Sequence, residues 1–211
     1  MIKNNICVGL DLDPNSELKE YYRIIDKTKE LSTFYKINPA FFLNNYKKIQ
    51  KVSDYIKFHN KKWIYDGKLG DVPHTNEFYA KFLYETLSCD GATLNPYLGL
   101  ESLLPFFKYN NKINFLLCRT TNFGSEYIQD SIYKKVYNIA NKLNSGLVIA
   151  GNKEGYLLEA LESCPNSLIL SPGIGSQGGE ISIKSDRVIY NISRSIINSL
   201  NPNSELKKYV L

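Results

Sequence analysis

The stretch "YDGKLGDVPHTN" spaces three charged side chains so that they could move a proton. Asp66 and Lys68 are two residues apart and share a face if the segment is extended, and Asp71 follows past Gly70. A lysine between carboxylates is held as an ammonium ion, which makes it a positioned proton donor or a cationic anchor. Asp71, followed by Pro73 and Thr75, reads as a loop entering a helix, so its carboxylate can project away from its own strand toward a neighbouring subunit. Two earlier segments end in the same way. Asp11 and Asp13 form an i, i+2 pair, as do Lys36 and Asn38. Any one pair reads equally well as a cap or a structural ion pair. Three successive strand ends carrying inward charge do not read as core, because buried charge is expensive, and they imply a polar mouth instead.

A second candidate is "SPGIGSQGG", residues 171 to 179, where Gly173, Gly175 and Gly178 have the GxGxxG spacing. A dinucleotide turn should open a doubly wound domain and be followed about 20 residues on by a ribose-binding carboxylate. Here Arg194 stands at about that distance, and too few residues remain downstream for a second mononucleotide half. The glycines are read as a phosphate cradle, with a purely structural turn as the alternative.

Elements to carry these groups recur along the chain. Short apolar segments lie at 6–12, 34–38, 63–67, 91–95, 113–119, 146–151, 167–173 and 187–191, separated mostly by stretches with helical periodicity. Eight strands with crossovers require parallel pairing, and right-handed crossovers close into a (β/α)8 TIM barrel, with an open doubly wound sheet as the rival. In such a barrel the chemistry sits at the C-terminal ends of the strands, with a phosphate site after strands 7 and 8. The glycine loop, the Gln177 amide and the Arg194 guanidinium then converge on one phosphate.

Composition bounds the rest. The chain has 211 residues, 43% of them hydrophobic and 22% charged, which suits one α/β domain over 1–211. Lys and Arg number 26 against 21 Asp and Glu; the net charge of +5 is spread along the chain, so a solvated surface is expected rather than a nucleic-acid partner. Cys7, Cys89, Cys118 and Cys164 lack CxxC spacing and read as buried thiols in a reducing compartment, with neither disulfides nor a zinc site. No apolar run is long enough to span a membrane, and the N-terminus lacks a signal-peptide core, so a cytoplasmic protein is expected. His74 is read as a surface loop residue and Trp63 as packing under a helix.

As an ordered set these motifs resemble the orotidine 5'-monophosphate decarboxylase family. "GLDLDP", "YKINPAFF", the DxKxxD of Asp66, Lys68 and Asp71, "GATLNPYLG", "RTTNFG", "SPGIGSQGG" and "SRSI" run in family order from about residue 6 to 197. The resemblance implies a cofactor-free, metal-free TIM-barrel homodimer converting orotidine 5'-monophosphate to UMP and CO₂, the last step of de novo pyrimidine synthesis. Lys36, Asp66, Lys68 and Asp71 match the family's catalytic tetrad, with Asp71 and Thr75 entering the partner's site. Asp11 matches the ribose-binding aspartate, and Gln177 and Arg194 the phosphate ligands; Pro172 joins the substrate-binding set. Thr121 stands where many members have a serine, keeping the hydroxyl, and Ser193 stands where many have glycine, keeping the backbone N–H. Sugar-phosphate decarboxylases and aldolases of the same superfamily share DxKxxD but use Mg²⁺ held partly by a carboxylate at the end of strand 2. Lys36 occupies that position here and would repel the metal.

Overall fold

In the computed structural model, which describes residues 5–175, 179, 181 and 183–210, eight parallel strands close into a barrel in chain order. They are β1 (Asn5–Gly9), β2 (Phe34–Ile37), β3 (Lys62–Leu69), β4 (Gly91–Leu94), β5 (Ile113–Arg119), β6 (Gly146–Ile149), β7 (Ile169–Pro172) and β8 (Val188–Ile192). β1 pairs with both β2 and β8, which makes the closure complete. The helices are α1 (Leu18–Thr28), α2 (Lys47–Phe58), α3 (Pro73–Lys81), α4 (Leu100–Phe107), α5 (Glu126–Leu143), α6 (Glu154–Ser163), α7 (Arg194–Ile197) and α8 (Pro202–Lys207). The barrel expectation holds and the open-sheet rival does not.

Side-chain alternation divides the core in two. Cys7, Phe34, Ile64, Phe115, Val148, Leu170 and Ile189 form a compact cluster drawn from seven of the strands, separate from the larger shell that contains Ile6, Val8, Tyr35 and Trp63. The first set fills the barrel, and the second packs its outer wall against the helices. Phe115 needs room to reach the centre. A Cβ on Gly146 would lie 2.6 Å from its ring, so only glycine fits there. Two residues beyond the cluster members of β1, β2, β3, β7 and β8, on the same inward face, stand Gly9, Lys36, Asp66, Pro172 and Asn191, with Thr93 of β4 beside Asp66. The apolar plug thus ends one layer below one that holds Lys36, Asp66, Thr93 and Asn191, and the strand period lifts Lys36 and Asp66 to the C-terminal mouth.

Trp63 is fully buried as expected, while His74 is exposed as expected but stands in helix α3 rather than in a loop, because the helix already starts at Pro73; its ring lies edge to face with Phe78 at 5.3 Å. All four cysteines are buried and free, and burial pushes the Cys89 thiol up to about 12. Among the described residues no helix is long and apolar enough to cross a membrane.

Candidate active site

A cavity of about 460 Å³ opens at the C-terminal mouth, within the usual range for a small-ligand site. Asp11, Lys36, Asp66 and Lys68 line one side, and Thr121, Pro172 and Arg194 also face it.

Charges alternate along the first side. Lys36 is buried between Asp66 Oδ2 at 2.6 Å and Asp11 Oδ1 at 3.7 Å. Lys68 Nζ reaches the other Asp66 oxygen at 2.8 Å, and its side chain is about half exposed. Burial by itself would discharge Asp66. The Lys36 and Lys68 cations beside it outweigh that and hold the carboxyl well below its ordinary range. Burial likewise opposes charge on Lys36, but Asp66 and Asp11 push its pKa above the usual lysine value. At neutral pH, Asp66→Asn should cost about 3–5 kcal/mol of stability, because it leaves the buried ammonium with Asp11 alone. A carboxyl depressed in the folded state contributes stability that is fully present above the unfolded value of about 3.9 and is lost as pH falls toward the folded one. The gap between wild type and Asp66→Asn, measured by urea unfolding, should therefore narrow below about pH 4.

Two further features hold this layer. Thr93 is fully buried; its hydroxyl donates to Asp66 Oδ1 at 2.8 Å and accepts from the Lys68 backbone N–H at 3.0 Å. Ser193 Oγ lies 3.0 Å from Gly9 O and 2.9 Å from Asp11 Oδ2, and can donate to either. A Cβ on Gly9 would come within 2.8 Å of Ser193 Cβ, so the glycine makes room for the serine. Asp11 Oδ1 is buried without a hydrogen bond among the described residues.

The loops after β2 and β4 are built alike. Asn38 Oδ1 accepts from Ala40 N at 3.0 Å and Asn95 Oδ1 from Tyr97 N at 3.1 Å, each capping a 3₁₀ turn that starts on proline. Asn38 also lines the cavity. At the end of β5, buried Arg119 lies over the Tyr156 ring at 4.0 Å and pairs with Asp130. Gln129 Oε1 accepts from Thr120 N, and its amide donates to Thr120 Oγ1, which fastens the segment leading to Thr121.

Several expected residues stand elsewhere. Asp13 is exposed and accepts from Asn15 N in a turn, because β1 ends at Gly9 and its alternation does not reach position 13. Asp71 does not line this chain's cavity; its carboxylate accepts from Val72 N at 2.7 Å, and among the described residues it pairs with no cation. Among the described residues Lys68 therefore touches one carboxylate of its own chain, not two. Thr75 sits on α3 beyond Asp71, outside the cavity lining. Arg194 opens α7 at the rim. Gln177 lies outside the described residues. Gly173 and Gly175 have φ of +91° and +76°, as a glycine turn requires. The amides of Gly175 and Gly179 are used within the turn, donating to Gly179 O and Gly173 O, so these two do not face a ligand. A threonine in "GATLN" reads only as a strand former, so the contacts of Thr93 with Asp66 and Lys68 are visible only in the structure.

Among the described residues no three His, Cys, Asp or Glu side chains cluster to hold a metal ion. At the end of β2, where a carboxylate would be needed for one, Lys36 already bridges Asp11 and Asp66.

A family model described as orotidine 5'-phosphate decarboxylase / HUMPS family matches residues 4–209. A Dehalococcoides mccartyi (strain CBDB1) protein named orotidine 5'-phosphate decarboxylase is 35% identical over 227 residues, covering 97% of this chain and 80% of its own length. Among solved structures, orotidine 5'-monophosphate decarboxylase of Methanocaldococcus jannaschii, complexed with the inhibitor BMP, superposes with a TM-score of 0.87 at 25% identity, over 98% of this chain and 97% of that one. Leishmania donovani UMP synthase gives a TM-score of 0.88 at 28% identity; the match covers 96% of this chain and only 51% of that one, about half its length.

Proposed function

This chain belongs to the orotidine 5'-phosphate decarboxylase / HUMPS family, and we propose that it converts orotidine 5'-monophosphate to UMP and CO₂ with Lys68 as electrostatic stabiliser and proton donor. The observation that carries this reading is the alternating row Asp11, Lys36, Asp66, Lys68 at the cavity wall. Loss of CO₂ from C6 of the pyrimidine leaves an electron pair in the ring plane with little resonance outlet. Catalysis must therefore meet that charge directly, and a fixed ammonium can do so and then deliver its proton to the same carbon. Asp66 restrains the ammonium, and Lys36 holds Asp66 from its far oxygen, so little reorganisation remains at the moment of reaction.

The other contacts divide by chemistry. Asp11, whose side chain lines the cavity, is the acceptor for a ribose hydroxyl by family resemblance. Arg194 meets the phosphate dianion, together with Gln177 by family resemblance, and Thr121 and Pro172 bound the pyrimidine side. Lys36, rather than a divalent cation, neutralises Asp11 and Asp66, which favours decarboxylation without metal over the Mg²⁺-dependent sugar-phosphate chemistry of the wider superfamily.

Homodimerisation supplies the missing carboxylate in this reading. Leu43, Tyr46, Val72, Phe78, Tyr97 and Leu98 are exposed apolar side chains on the segments after β2, β3 and β4, which flank Asp71 and Thr75. Apolar surface of that kind beside an incomplete site favours a second copy that receives Asp71 and returns its own. The pyrimidine-synthetic role fits a cytoplasmic enzyme. The deciding assay is CO₂ release from orotidine 5'-monophosphate by purified protein in excess EDTA. Undiminished turnover is expected; activity abolished by the chelator and restored by Mg²⁺ would favour the metal-dependent chemistry.

A further inference from the structure

The β3–β4 ladder is irregular where the reacting groups are carried. Pairing steps from Tyr65 with Ala92 to Leu69 with Leu94, so Asp66, Gly67 and Lys68 stand opposite Thr93 alone. Lys68 takes φ +49°, a left-handed backbone unusual for a side chain other than glycine. A bulge of this kind leaves backbone groups without ladder partners.

Thr93 fills that gap. Its Oγ1 accepts from the Lys68 N–H at 3.0 Å and lies 2.8 Å from Asp66 Oδ1, the oxygen that also receives Lys68 Nζ at 2.8 Å. An amide can only donate, and a carboxylate can only accept, so the single hydroxyl proton belongs to Asp66. The result is a closed ring running from the Lys68 backbone through Thr93 and Asp66 to the Lys68 ammonium. Resting on the decarboxylase reading, we propose that Thr93 is a positioning residue, which stabilises the left-handed backbone at Lys68 and dedicates Asp66 Oδ1 to its ammonium while Oδ2 serves Lys36. Without the hydroxyl, the bulge loses an acceptor and Asp66 loses a neutral donor. The ammonium is then free to leave the line of approach to the reacting carbon, where a displacement of about 1 Å is costly.

Thr93→Val keeps the shape and removes both bonds; Thr93→Ser keeps both. For each variant, kcat, KM, the Kd for UMP and the melting temperature are measured. Thr93→Val should lose about 10- to 100-fold in kcat. Its affinity for UMP, gripped mainly through phosphate and ribose, should stay within about threefold. Thr93→Ser should return kcat to within about threefold of wild type. A merely structural role would lower the melting temperature and leave kcat of the folded protein unchanged. The inference is overturned if folded Thr93→Val turns over at the wild-type rate, or if Thr93→Ser loses as much as Thr93→Val. A wild-type protein that releases no CO₂ overturns the decarboxylase reading itself, and this inference with it. Should Thr93→Val fail to fold, Thr93→Ala carries the same comparison.

Discussion

Lys68→Ala is expected to lower CO₂ release by about 10⁴-fold or more while the protein stays folded. One preorganised charge at the reacting atom is worth about 10²- to 10³-fold, and a positioned general acid about 10²- to 10⁴-fold; in the proposed mechanism Lys68 performs both roles in sequence. The cost in stability should be small. The ammonium is half exposed, and in its absence Asp66 still receives the Lys36 ammonium on Oδ2 and the Thr93 hydroxyl on Oδ1. Circular dichroism melting would register the fold, UMP titration the pocket, and CO₂ release the chemistry. A variant that binds UMP and decarboxylates at the parental rate removes Lys68 from the mechanism.

A second large effect is expected from mixing two dead proteins. Asp71→Ala alone should be severely impaired, because in the proposed dimer Asp71 supplies the second carboxylate that Lys68 lacks among the described residues of its own chain. If Asp71 acts across a two-fold interface, a heterodimer of Lys68→Ala and Asp71→Ala protomers contains one intact site and one site lacking both groups. Random reassortment of equal amounts then restores about a quarter of wild-type activity. Restoration is read by assaying the mixture after mild dissociation and reassociation. Activity that stays at the level of the separate variants would place Asp71 outside the shared site.

The barrel and most of the charged wall were legible in the sequence for a common physical reason. Alternation on a strand puts Phe34 with Lys36, and Ile64 with Asp66, on one face, so an apolar plug below and a charge above appear in the same short words. The same rule misled where the strand was not where it seemed. Asp13 was carried inward by an alternation that β1 had already abandoned at Gly9. β3 runs on to Leu69, past an irregularity that no period of two can reveal. Thr93 acquires its role only from that irregularity, because its partners are 25 and 27 residues away. The glycine turn was legible as a turn; that its Gly175 and Gly179 amides bond within it depends on φ values that letters do not carry. The helix Pro202–Lys207 was overlooked although its start is written in the sequence, with Asn201 capping Ser204 N and proline next in line.

The seam between β1 and β8 also orders events during synthesis. Asn5 is paired with Ile189, and Asp11 is pinned by Ser193, whose codon is translated 182 residues later. A nascent chain that has emerged only as far as β7 therefore carries two raw sheet edges and an Asp11 that has Lys36 but not yet Ser193, however complete its first three strands are. Contacts so distant along the chain are slow to form, so the ribosome and the chaperones around it see an open, sticky crescent until the last strand arrives.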